Sequence, residues 1–130
     1  MVKRPLAVWV LCLGNGLLAV FLIAASLIAQ TRGFEPWQAA ISGICGFGIS
    51  LAAHAAWFGY KLGRTALLAL LSLFLGLVVV QSTAVLLWSV QTGYEGAFVQ
   101  AAFTRFLLSL LWLSVNYVFL FNKTSRSFFG

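Results

Sequence analysis

Four long apolar runs, separated by short polar connections, account for nearly the whole chain. The first extends from Pro5 to about Ala29 with no charge, the second from Trp37 to Tyr60, the third from Thr65 to Val90 and the fourth from Phe98 to Phe121. At 1.5 Å per residue the first three clear a hydrocarbon layer about 30 Å thick. The fourth carries Arg105, and its uncharged stretch, Phe106 to Phe121, rises only about 24 Å, slightly short of a crossing. That shortfall predicts Arg105 near the outer edge, its long side chain snorkelling to the headgroups beside Glu35 and Glu95. The pattern predicts an all-α fold: a transmembrane four-helix bundle, one membrane domain over residues 1–130.

The connections sharpen this. Gln30 to Pro36 and Gln91 to Gly96 are polar turns, Lys61 to Arg64 is a basic turn, and the tail from Asn122 to Gly130 is basic and then aromatic, suited to lying on a membrane surface. Met1-Val2-Lys3-Arg4 before an apolar run has the look of a secretory signal. The run is far longer than the roughly 7–15 residues of such a signal, which predicts a retained span.

Composition agrees. Hydrophobic residues make up 62% and charged residues 8% of the 130, against about 25% charged in soluble domains. So few charges cannot clothe a water-facing surface, and the bilayer is the expected solvent. The net charge of +6 would suggest nucleic acid in a soluble chain; without a basic groove or basic aromatic face it does not do so here. Lys3, Arg4, Lys61, Arg64, Lys123 and Arg126 fall on one side of the predicted membrane, and Arg32, Glu35, Glu95 and Arg105 on the other. Six cations and no acid against two of each predicts cytoplasmic termini, with the six as inner anchors.

Candidate chemistry is sparse. There is one histidine, too few for a bis-imidazole haem, and no Cys/His/Asp/Glu cluster with metal-ligand spacing. Cys12 and Cys45 stand apart inside apolar runs and read as packing residues. No carboxylate lies within a span, and no phosphate loop or nucleophile–base pair is present. These features predict neither catalysis nor a cofactor. Polar residues at membrane depth are the remaining candidates. Asn15, His54 and Asn116 fall in the inner half and could form one hydrogen-bonded layer. Trp112 lies mid-span, where its indole N–H needs a partner. Small residues, Gly14 and Gly16 in span one and Ser42, Gly43 and Gly46 in span two, predict faces for close helix packing, with itself or with another subunit.

The chain also echoes itself. Gln30-Thr31-Arg32-Gly33-Phe34-Glu35 resembles Gln91-Thr92-Gly93-Tyr94-Glu95, and Lys61-x-x-Arg64 resembles Lys123-x-x-Arg126, all at offsets of 60 to 62. This predicts two tandem, parallel helical hairpins. At offset 62, His54 falls on Asn116 and Gly43 on Arg105.

Lys3-Arg4-Pro5, Gly63-Arg64, Asn116-Tyr117 and Arg126-Ser127-Phe128-Phe129 together resemble small, uncharacterised four-helix proteins of bacterial inner membranes. The resemblance runs the length of the chain, implies that location, and brings no catalytic residues with it. The expected role is a non-enzymatic accessory or structural subunit that packs in a homo-oligomer or a larger complex. The alternatives are a small transporter or channel with a polar layer at His54 and Asn116, and a lipid-interacting protein using Arg105 and the basic tail.

Overall fold

The computed structural model describes residues 5–33 and 35–129, without the side chain of Gln38. The anchors Lys3 and Arg4 lie outside the described residues. The described residues form five helices: α1 (Leu6–Thr31), α2 (Pro36–Trp57), α3 (Lys61–Thr92), α4 (Ala97–Leu120) and the short α5 (Lys123–Phe128). The first four are long and apolar enough to cross a membrane. They run alternately up and down. One end of the bundle, here the basic end, gathers the starts of α1 and α3, the ends of α2 and α4, and all of α5. The other is the far end.

Local chemistry sets the boundaries. Pro5 stands just before α1 in extended backbone, and Pro36 opens α2, where its missing N–H loses nothing. At the far end Gly33 and Gly93, sixty residues apart, both take left-handed backbone as α1 and α3 stop. At the basic end Gly59 does the same with φ +83°. Gly59 N–H donates to the Ala56 carbonyl and Tyr60 N–H to the Ala55 carbonyl, the paired closure in which a left-handed glycine ends a helix. Residues 58–60 are therefore the turn. Lys61 to Arg64, expected as the turn, is instead the first turn of α3. Asn122 accepts a hydrogen bond from Ser125 N–H at 2.7 Å, Ser125 Oγ donates to the Phe119 carbonyl at 2.7 Å, and α5 folds back against the bundle.

Each helix buries a narrow stripe. On α1 it is Val8, Cys12, Asn15, Ala19, Leu22 and Ser26, spaced alternately by four and three. On α4 it is Ala102, Ser109, Asn116 and Leu120. This is the spacing of helices in coiled-coil contact. The large core residues, Val8, Leu11, Ile49, Leu67, Leu71 and Leu120 among them, lie mostly in the basic half.

The helices form a ring in chain order, with α1–α2 the closest pair and α1–α4 the sparsest contact. Glycines make the close pairs possible. A Cβ on Gly46 would stand 2.9 Å from the Ala19 carbonyl oxygen, one on Gly43 2.9 Å from Ser26 Oγ, and one on Gly63 2.5 Å from the Ala56 nitrogen. The small-residue face of α2, expected to receive another subunit, is covered by α1 of the same chain.

Gly63→Ala is expected to lower unfolding free energy in detergent by about 1–3 kcal/mol, because backbone cannot yield to the added methyl. Gly76→Ala, at a position with nothing within 4 Å, should instead stabilise by about 0.5–1 kcal/mol. A denaturant titration followed by circular dichroism distinguishes the two; equal effects would contradict the packing described.

Candidate functional site

Two asparagines lie wholly buried in the apolar interior, Asn15 on α1 and Asn116 on α4. Unpaired amides in such a place are expensive. Here they bond to each other: Asn15 Nδ2 donates to Asn116 Oδ1 at 2.6 Å. Trp112 Nε1 donates to Asn15 Oδ1 at 2.9 Å, and Asn116 Nδ2 donates to the Trp112 carbonyl at 2.9 Å. The direction of every bond follows from the ends. An indole N–H only donates and a carbonyl only accepts, so each amide has one permitted orientation. The circuit begins and ends on Trp112, one turn before Asn116 on the same helix. Trp112 fits because Gly14 has no side chain: a Cβ there would meet the indole ring at 2.7 Å.

His54 does not join this layer. Because α2 stops at Trp57, His54 occupies its last turn, exposed, with its ring edge-on to Phe58 at 4.9 Å between centroids. It borders a shallow hollow with Gly16, whose missing side chain faces open space. Ser42 is half-buried on α2.

Arg105 is exposed on α4, eight residues and about 12 Å from the helix start at Ala97. Glu35 and Glu95 stay in or beside the far-end turns, exposed, and among the described residues no acidic side chain pairs with Arg105.

The basic anchors divide. Lys61, Lys123 and Arg126 are exposed. Arg64 is 8% exposed, its guanidinium carbon 4.5 Å from the centre of the Phe121 ring and 5.1 Å from that of Phe129. Arginine tolerates such a place because its planar cation is weakly hydrated and stacks on aromatic faces. Its Nε is buried with no hydrogen-bond partner. This cage holds the tail in place, and Phe128 lies over the bare backbone of Gly59. The cation count pointed to Arg64 as a surface charge; the aromatic ending Phe128-Phe129 was the signal that it would be covered.

The fold defines the class: a multi-pass integral membrane protein with four helices of spanning length. The sequence matches no protein-family model, and no curated protein or solved structure is significantly similar to it.

Asn15→Leu should lower stability by about 1–3 kcal/mol, since it leaves the Trp112 N–H and the Asn116 carbonyl oxygen buried and unpaired. Asn15→Leu combined with Asn116→Leu should lose less than the sum of the two single changes. Strict additivity in a double-mutant cycle would show that the two amides do not act together. Separately, Phe129→Ala should speed amide hydrogen exchange in residues 58–64 while leaving the middle of α1 protected. Unchanged exchange there would mean that the tail does not clamp Arg64.

Proposed function

We propose that the chain is a non-enzymatic accessory or structural subunit of the bacterial inner membrane, with both termini cytoplasmic, packing in a homo-oligomer or a larger membrane complex. The observation that carries this reading is the closed Asn15–Asn116–Trp112 circuit. The two amides buried most completely in the bundle satisfy each other and Trp112, which favours a structural role for them over a role in solute passage. What the bundle then offers its surroundings is mainly apolar surface, suited to packing. With the α2 glycine face covered by α1, the outward face of α4 is the better candidate for association, because α4 is the least buried of the four long helices. The basic end, with Lys61, Lys123 and Arg126 exposed, suits the cytoplasmic side.

A small transporter with His54 and Asn116 in its pathway gains no support from the geometry. Asn116 is sealed and bonded, and His54 is exposed in the last turn of α2.

Gentle solubilisation followed by native mass measurement is expected to give a particle heavier than one 14.1 kDa chain by at least a second polypeptide. A lone chain with only lipid and detergent attached would overturn the subunit reading.

A further inference from the structure

The seam between α1 and α4 is closed at the Asn15–Trp112 layer and open from there towards the far end. An apolar groove of about 420 Å³ runs along it, walled by Phe21 and Leu22 of α1, Phe74 and Leu75 of α3, and Leu108 and Trp112 of α4. Arg105 stands at its upper end. A second cavity of about 250 Å³, bordered by Gln81, Ser82, Phe98 and Ala102, shares Arg105 with the first. The groove lies within the usual size range for small-molecule sites.

The polar groups along this seam lack partners. Five serines are buried in the bundle. Ser26, Ser89 and Ser125 donate to backbone carbonyls. Ser82 and Ser109, 4% and 7% exposed, form no hydrogen bond among the described residues, and each borders one of the two cavities. Arg105 and Gln81 likewise have no partner among the described residues. An exposed cation, an exposed amide and the hydroxyls of two otherwise buried serines therefore border two adjoining hollows that meet at Arg105. Arg105 is exposed on the outside of an apolar bundle, and a charge facing lipid is costly unless an anion meets it.

Direction selects the ligand. Helix α4 runs from the far end inward, and helical Cα–Cβ bonds tilt towards the N-terminus, so the Arg105 side chain leaves the backbone in the direction of the far surface. The groove leads the other way, from Arg105 down to Trp112 in the middle of the membrane. Charge above and tail below is the orientation of a lipid in the far leaflet.

We propose that this seam is a phospholipid site, with the phosphate held by Arg105, assisted by Gln81 and Ser82, and one acyl chain lying in the groove towards Trp112. Ser109, four residues after Arg105, supports the ester region just below the phosphate. The proposal does not depend on the accessory-subunit reading.

The test is native mass spectrometry of the full chain, stripped of lipid by detergent exchange and titrated with phosphatidylglycerol, phosphatidylethanolamine, a free fatty acid or diacylglycerol. One phosphatidylglycerol or phosphatidylethanolamine per chain is expected, and diacylglycerol, which lacks the phosphate, should bind at least about tenfold more weakly, as loss of a charge-assisted hydrogen bond implies. Arg105→Gln should weaken both phospholipids by a similar factor and leave diacylglycerol unchanged. Leu108→Trp, which fills the groove, should weaken all of them. Arg105→Lys keeps the charge and should retain part of the affinity, so misfolding of the glutamine variant would not hide the result. Equal phospholipid retention in wild type and Arg105→Gln would overturn the proposal. So would a fatty acid displacing phospholipid at equal concentration, or loss of a bound polypeptide on Arg105→Gln with lipid content unchanged.

Discussion

Lipid surrounds this protein, and lipid gives helices no reason to associate merely because they are apolar. Association must come from close backbone contact or from polar groups with nowhere else to bond. The chain uses the first between α1, α2 and α3. It uses the second between α1 and α4, where backbone contact is sparse and the Asn15–Asn116–Trp112 circuit closes the ring. Bonds of this kind contribute only about 0.6–2 kcal/mol each in a membrane. Their larger effect is on register. Only one vertical placement of α4 against α1 brings Asn116 to Asn15 and seats the Trp112 ring on Gly14.

The two ends of the bundle differ as a result. The basic half holds the large core side chains and is closed by the tail, whose Phe129, with Phe121 at the end of α4, covers Arg64. This arrangement runs against helix electrostatics. Lys61 and Arg64 sit in the first turn of α3, where the helix dipole disfavours positive charge by about 0.3–1 kcal/mol at an exposed site. Aromatic faces compensate for Arg64 where no carboxylate among the described residues does, and this ties the fold of the tail to a cation at the basic end.

Much of this was legible in the residues. The four spans stand out by length and hydropathy, and an amide such as Asn116 inside a span has to find a partner. The faces were not legible. In a soluble helix the buried side is the apolar side, but here the lipid-facing residues are as apolar as the core, so hydropathy does not separate them. The usable signal was size. The buried stripe on α1 includes Cys12, Asn15, Ala19 and Ser26, spaced as in coiled coils, while Leu17, Val20 and Phe21 face outward. The same ambiguity made the Gly43–Gly46 face look available to another subunit. The position of His54 depended on a helix end. Gly59 drew the end of α2 back to Trp57 and put His54 in its last turn; α4 starts at Ala97, within one residue of the expected Phe98, and leaves Arg105 exposed two turns along.

The internal echo in the sequence lines up with this asymmetry. At an offset of 62 residues, Gly43 of α2 corresponds to Arg105 of α4. In the first hairpin the glycine lets α2 close on α1 until a Cβ would touch Ser26, and Ser26 in turn bonds to the Ala39 carbonyl across the pair. At the matching place α4 carries the bulkiest cation available, and the seam beside it stays open. A glycine lies in the closed α1–α2 contact at the level where an arginine borders the open α1–α4 seam. Two hairpins of similar pattern yield one sealed face and one face with a charged slot.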